Sequence, residues 1–458
     1  MADPFLLSHS CGPLQYTLAA PLSPVSIRDQ MIRARMFADR AVEQALISPT
    51  RPLLVIGAGA AGVSAAIRAA FLRVPTTLVE ASHQAFSRQK LCATRWVDPT
   101  QYDWPVDHWG MGFYPWTPPP MPLPWNAQLS NAIATVWERE LRRALARYSH
   151  LTFLPNTSVV SIALVPGGNT LSVSLSPHSG PSVYGAAVFC VGFGVERVSL
   201  GTYSSFAFWD SDPLEQRDMG LKTGKRPYRV FIGGGGDGAL QDFLRITTGL
   251  RSAGELLKKF PPPVAELIAS TIHSAEDQAQ RAAIWALKWH GHAIFKRLHE
   301  VYRSQVQRLI TNPATAPAIY NVLHGVLSHS QNLEVVLAYP CDHFSSCYGL
   351  NRLLTLLILE HARLNGLPIS EVAGSSVFSV QGMHTPPCAN RANDCHGEEH
   401  EVRLQPQPFC ADDPAGSPGS PQVFDAVVLR LGVNPPPPFT GTYPLLITRQ
   451  ILPYHASQ

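Results

Sequence analysis

Residues 53–64 read Leu53-Leu54-Val55-Ile56-Gly57-Ala58-Gly59-Ala60-Ala61-Gly62-Val63-Ser64. Four apolar residues without alternation are the pattern of a strand buried on both faces, as in a parallel sheet. The run passes straight into GxGxxG, and Val63-Ser64-Ala65-Ala66-Ile67-Arg68-Ala69-Ala70 continues it as a helix. A second strand, Thr76-Thr77-Leu78-Val79, ends in Glu80, about 20 residues past the middle glycine. Each position has a mechanical role. Gly57 makes the tight turn, Gly59 lets a pyrophosphate approach the backbone, and Gly62 lets helix and strand pack closely. Ala60 and Ala61 open a helix whose N-terminal N–H groups and dipole favour phosphate, and Glu80 can accept from a ribose diol. A lone GxGxxG is weak evidence; one set between strand, helix, strand and acid is specific.

Outward from this stretch the chain repeats itself. Residues 1–24 read as a proline-punctuated arm, and Ile27, Met31, Met36, Ala41 and Ala45 mark one packing helix before the first strand. After Glu80 comes a loop, 86–125, that carries Trp96, Trp104, Trp109, Trp116 and Trp125 of the chain's 9 tryptophans. Long ordered loops in compact domains are usually functional. Arg88, Lys90 and Arg95 in this loop are candidates for a pyrophosphate, and Trp96 and Trp104 for an aromatic wall against cofactor or substrate. A helix is expected over 126–148, then meander strands at 151–154, 158–162 and 171–175. The buried strand 186–191 follows, ending in Gly192 and Gly194.

The pattern then restarts with Tyr228-Arg229-Val230-Phe231-Ile232 and the glycine run Gly233-Gly234-Gly235-Gly236-Asp237-Gly238. Here Gly233, Gly235 and Gly238 fit a second GxGxxG, with Gly236 and Asp237 inside it. Residues 249–330 read as a helical insertion, which delays the second strand to 333–338. A helix at 350–364 and strands at 376–380, 401–404 and 424–432 complete the unit. Asp342 and His343, at the carboxyl end of the delayed strand, are candidate substrate residues, because ligands of open α/β sheets collect at such ends. The expected fold is α/β: two tandem Rossmann-like units, each a parallel sheet plus a β-meander. Residues 1–49 form an arm and helix, 50–205 the first unit, 226–435 the second, and 436–458 a tail.

Composition narrows the classes. The 458 residues carry 36 Lys and Arg against 33 Asp and Glu, too small an excess for a nucleic-acid binder or a polybasic membrane surface. Charged residues are only 15%, while 41 prolines and 33 glycines predict long, stiffened loops. No apolar run reaches the length of a membrane-spanning helix. The 8 cysteines show no disulfide-framework spacing, and the N-terminus is a poor signal peptide, so a cytoplasmic protein is expected. His384, Cys388, Cys395 and His396 are too widely spaced for a structural zinc site, and no metal is expected.

The two glycine-rich units resemble the FAD- and NAD(P)-dependent oxidoreductases with two dinucleotide-binding domains, a group that includes flavin-containing monooxygenases. The resemblance covers roughly 50–205 and 226–435. It implies FAD at Gly57, Gly59, Gly62 and Glu80, a glycine-ended strand at Gly192 and Gly194, and NAD(P)H at Gly233, Gly235 and Gly238. It also implies reduction of the flavin by NAD(P)H and action on a small organic substrate. Departures are plain. The late Gly-Asp that holds the ribitol in many relatives is missing after Gly432, Cys92 has no partner cysteine in its region, and FxGxxxH is absent between the units. No strand ending in an acid or arginine lies about 20 residues past Gly235, so NAD and NADP are not distinguished. These departures motivate an alternative, a dinucleotide-binding sensor or regulatory subunit with vestigial redox activity. In either reading the helical insertion is expected to serve a second copy of the chain or a protein partner.

Overall fold

The computed structural model describes residues 3–18, 27–99, 123–124, 126–178, 180–192, 194–211, 228–284, 291–327, 332–345, 347–383, 399–407 and 416–434. Two units divide the chain. The first holds the described residues of 1–93, 106–195 and 433–458, the second those of 94–105 and 196–432.

The first unit begins at a short helix, α1 (Pro4–His9), whose Asp3 cap accepts from the Leu6 N–H at 3.0 Å. Strands β1 (Ser10–Gly12) and β2 (Gln15–Thr17) follow, then α2 (Ile27–Glu43), β3 (Leu53–Ile56), α3 (Ala60–Phe71) and β4 (Thr76–Val79). Next come α4 (Ser87–Leu91), α5 (Ser130–Arg147), β5 (Leu151–Leu154), the meander β6 (Ser158–Leu164), β7 (Leu171–Ser176) and β8 (Pro181–Tyr184), and last β9 (Ala186–Phe189). The six-stranded sheet has the order β1-β2-β9-β3-β4-β5, parallel except for the β1–β2 hairpin. Leu54, Val79 and Ala187 meet Leu171, Val173, Leu175 and Tyr184 of the meander. Helix α3 is rich in alanine, so its backbone can approach a neighbour closely, and α2 packs on it with Met31, Met36, Phe37 and Ala41 buried.

Strand β10 (Tyr228–Gly233) opens the parallel sheet of the second unit, followed by α6 (Asp237–Thr248) and the inserted helices α7 (Ala253–Leu257), α8 (Pro262–Ile284), α9 (Gly291–Thr311) and α10 (Ala316–Leu327). Then come β11 (Leu333–Tyr339), α11 (Gly349–Asn365), β12 (Ile369–Ala373), the meander β13 (Ser375–Met383), β14 (Glu399–Pro406) and β15 (Gln422–Phe424), and β16 (Ala426–Leu429). The parallel order is β12-β11-β10-β16. One apolar core joins α6, α11 and the inserted helices through Phe243, Tyr302, Leu323, Leu350 and Leu354. Another lies between sheet and meander at Phe231, Val380, Val402 and Phe424.

Two expectations change. The N-terminal arm is built into the first sheet: β2 pairs in parallel with β9, Val188 opposite Tyr16, so residues 10–17 extend it by a hairpin. The stretch 424–432 is not one strand. Gln422–Phe424 closes the meander, and the chain turns at Asp425 to enter the sheet as β16. Trp104, Trp109, Trp116, Trp125, the His384–His396 cluster and the tail beyond 434 lie outside the described residues. No helix among the described residues is long and apolar enough to cross a membrane.

Candidate dinucleotide site

At the end of β3 the chain enters the first glycine-rich turn. The Gly57 N–H donates to Val79 O at 2.8 Å, and its φ of +99° is one that side-chain-bearing residues avoid. A Cβ there would lie 2.6 Å from Cys190 O, and one on Gly62 would lie 1.8 Å from Gly57 O. Both glycines are therefore required by the packing of the chain on itself. Gly59 is different. It caps α3 with extended backbone (φ −78°, ψ −173°), and a Cβ on it would meet nothing within 4 Å. Nothing in the described chain demands a glycine at 59.

The first turn of α3 contains Ala60, Ala61 and Gly62, with no acidic residue and no side-chain cap. Helix N-termini leave backbone N–H groups without intrahelical partners and carry about half a positive charge. Glu80 stands beside them: Oε2 accepts from the Ala58 N–H at 2.7 Å and Oε1 from the Ser82 N–H at 2.9 Å. Its backbone is fixed as well, N–H to Leu154 O at 3.0 Å and O to the Thr157 N–H at 2.8 Å. Each carboxylate oxygen has a second lone pair, so the group holds the turn and still has capacity for a diol.

Sequence reasoning missed Phe86. Its N–H donates to Ala58 O at 2.9 Å, its φ is +57°, and its ring is buried 5.5 Å from that of Trp137. A bulky residue at positive φ is unusual; here the backbone N–H ties the post-β4 loop to the glycine turn while the buried ring packs on Trp137 of α5. No local sequence signal marks it. Of the basic candidates, Arg88 is exposed, and Lys90 reaches Glu138 at 2.8 Å and Gln84 at 3.1 Å. Gly192 (φ +77°) and Gly194 (φ +112°) follow β9, whose exit is tied to β3 by the Cys190 N–H on Ile56 O at 2.7 Å.

Arg95 and Trp96 belong to the second unit and are engaged there. Arg95 Nη1 donates to Asp242 Oδ1 at 2.8 Å, Nε donates to Phe208 O at 2.9 Å, and the guanidinium lies 3.9 Å from the Phe208 ring centroid. Asp242 also receives Arg245 at 2.5 Å and Arg430 at 2.8 Å. Burial would raise the Asp242 carboxyl, but Arg430, Arg95 and Arg245 overcome it and hold the group far below the ordinary carboxylate range. Trp96 carries the Arg251 guanidinium 4.9 Å from its ring centroid. With its donors on Asp242 and Phe208 O, Arg95 is a structural cation of the second unit.

The second glycine turn takes a register one residue later than the sequence suggests. Gly233 is the last residue of β10; the turn residue is Gly234, with φ +144°, its N–H on Ala338 O at 2.8 Å, and Arg430 O 2.3 Å from where a Cβ would sit. Gly236 caps α6 with φ −92° and ψ 177°, and its O accepts from the Leu240 N–H at 3.2 Å, as Gly59 O does from the Val63 N–H at 3.0 Å. The motif is thus Gly234-x-Gly236-x-x-Ala239. Gly235 corresponds to Ala58, Asp237 to Ala60 and Gly238 to Ala61. Since Ile56 pairs with Val79 and Gly233 with Ala338, the counterpart of Glu80 is Tyr339.

Those two replacements change the chemistry. Asp237 accepts from the Tyr348 N–H at 3.0 Å, from Asn351 Nδ2 at 2.7 Å and from Gln241. Burial raises its pKa above the ordinary carboxylate value. Tyr339 is 1% exposed, and its hydroxyl donates to Glu371 Oε2 at 2.5 Å. Asp342 and His343 follow it: His343 Nδ1 is 2.6 Å from Asp342 Oδ1, and Lys296 is 2.7 Å from Oδ2. Hydrogen bonds from His343 and Lys296 pull the Asp342 carboxyl down to about 2. Beside them His299, which sequence reading did not single out, is lowered to about 3 by burial and by Arg352 and Arg303. Burial and Asp342 raise the Cys341 thiol. Among the described residues no group of three or more metal-ligating side chains occurs.

No family model matches the chain. No curated protein matches it either. Solved structures do. A Lactococcus lactis thioredoxin reductase is 9% identical, over 83% of this chain and 77% of that one, at a TM-score of 0.39. The L-lysine 6-monooxygenase from Pseudomonas syringae is 14% identical over 87% and 84%, at 0.35. An ornithine N-hydroxylase from Kutzneria sp. 744, solved with reduced FAD, NADP+ and L-ornithine, is 10% identical over 83% and 80%, at 0.34.

Proposed function

We propose that this chain is a flavin-dependent oxidoreductase that holds FAD through its first glycine-rich turn. The observation that carries the reading is Gly59, the one glycine of that turn which the chain's own packing does not require. Open space above a helix N-terminus is what a pyrophosphate needs to reach backbone N–H groups. The residues present fit the group. Ala60 and Ala61 bring no charge against a phosphate, and Glu80 faces the turn with acceptor capacity to spare.

In this reading the α3 N–H groups and dipole bind the pyrophosphate, and Glu80 orients the adenosine ribose while keeping Ala58 in place. Phe86 ties the loop after β4 to the turn, and Gly192 and Gly194 take the chain out of β9 at positive φ. FAD, when bound, supplies two-electron redox chemistry; the protein supplies binding, orientation and exclusion of water. A small organic substrate suits the near-neutral charge of +3 better than a charged polymer does.

The test is colour and content. Purified protein is expected to be yellow, with absorbance at about 450 nm, and to release FAD on denaturation; a colourless protein that takes up no added FAD contradicts the reading. A second reading, a dinucleotide-binding sensor or regulatory subunit, is favoured by Asp237 and Tyr339 in the second turn. Bound flavin that cycles between reduction and reoxidation in air with a supplied electron donor supports the enzyme. Flavin that stays oxidised supports the sensor.

A further inference from the structure

We infer that the second glycine-rich turn is not a dinucleotide site: Asp237 occupies its first helical position with a carboxyl bonded to the chain itself, Tyr339 stands where the first turn has Glu80, and the protein carries one dinucleotide, in its first unit. The statement about the first unit rests on the reading above; the statement about the second does not.

Asp237 and Tyr339 carry the inference. Asp237 stands at the first helical position of α6, where the first turn has Ala60. A pyrophosphate at this N-terminus would meet a carboxyl group where the first turn offers a methyl. The carboxylate has its own work, receiving the Tyr348 N–H and Asn351 at the start of α11, so it ties two helix N-termini together. Tyr339 replaces the ribose acid, and its hydroxyl is turned to Glu371, leaving no carboxylate at the diol position. On the other flank, a Cβ on Gly238 would lie 3.3 Å from the Phe208 ring and 3.5 Å from Arg430 Cδ. The Arg430 guanidinium donates through Nε to Asp242 Oδ2 at 2.8 Å and through Nη1 to Phe206 O at 2.6 Å. The loop after β11 is tied to the turn by the Ser345 N–H on Gly235 O at 2.8 Å, as the Phe86 N–H ties the loop of the first turn, and by the buried Arg352, which donates to Ser345 O at 2.8 Å.

The inference is tested by equilibrium dialysis of the full chain, freed of copurified nucleotide, with labelled FAD, NADH and NADPH in turn. Wild type is compared with Gly59→Val and Asp237→Asn. Gly59 has extended backbone and open space, so the valine variant is expected to keep its fold, checked by circular dichroism. The expected result is one equivalent of dinucleotide in the wild type and none in Gly59→Val. Asp237→Asn, which removes a charge and keeps the shape, should leave FAD affinity within twofold. An NADH or NADPH equivalent that survives Gly59→Val overturns the inference. Absence of binding in all three proteins leaves the second turn as inferred and defeats the proposed FAD site instead.

Discussion

The two glycine-rich turns share a backbone and differ in what they offer a ligand. Both leave a parallel strand, donate the turn glycine's N–H to the neighbouring strand at 2.8 Å, cap a helix with an extended glycine and receive a loop N–H on the second residue. Yet the first presents Ala60, an open Gly59 and a carboxylate at the ribose position, whereas the second presents Asp237 and the buried Tyr339. The comparison separates two reasons for glycine. Gly57, Gly62 and Gly234 are glycines because backbone carbonyls lie where a Cβ would be. Gly59 has no such reason, and only a residue of that kind argues for a ligand.

The largest expected effect on this contrast comes from Gly62→Ala. Its methyl would collide with a backbone oxygen at 1.8 Å, so unfolding in denaturant should show a loss of about 3 kcal/mol or more. Ala239→Gly, at the matching place, should cost only about 1 kcal/mol through helix propensity. Equal losses would mean that the two turns are not built alike.

Glu80→Ala comes next. It removes a charged acceptor, and FAD affinity measured by titration should fall by about 1.5–3 kcal/mol. Tyr339→Phe should leave FAD affinity unchanged. An unaltered affinity in Glu80→Ala would remove that carboxylate from the site.

Asp237→Ala makes the second turn resemble the first at one position. It leaves the Tyr348 N–H and Asn351 without their acceptor, so stability should fall by about 1–3 kcal/mol. An increase in stability would show that Asp237 does not tie α6 to α11.

Per pH unit, the smallest effect is one the units share. His9 in the first is lowered to about 4, chiefly by burial, and His299 in the second to about 3. A histidine with a depressed folded pKa contributes stability that is present above its unfolded value of about 6.5 and lost as pH falls toward the folded value. Thermal unfolding followed from pH 8 to pH 4 should therefore weaken below about 6.5, by up to about 1.4 kcal/mol per pH unit for each histidine. His299→Gln should flatten that slope, and an unchanged slope would mean that His299 is not held neutral.

How far the sequence could be read follows from these same residues. The first turn was legible because strand, glycines, helix and acid are contiguous, so Gly57 to Glu80 could be placed by spacing alone. The second was legible as a turn but not in register. Four successive glycines allow two alignments, and the choice falls to Arg430 O, which approaches Gly234 from just beyond a strand far along the chain. Tyr339 could not be matched to Glu80 by spacing, because α7 to α10 intervene. Arg95 looked like a phosphate ligand locally, but its partner Asp242 is distant in sequence. The pairing of β2 with β9 is equally non-local, so the N-terminal segment looked like an arm.

The account stands on Gly59, and one measurement addresses it: the nucleotide released on heat denaturation of the full chain, identified and counted by chromatography, in wild type and in Gly59→Val. The account predicts about one FAD per chain from wild type and none from the variant, with the two proteins indistinguishable by circular dichroism. A Gly59→Val protein that still releases stoichiometric FAD would contradict it.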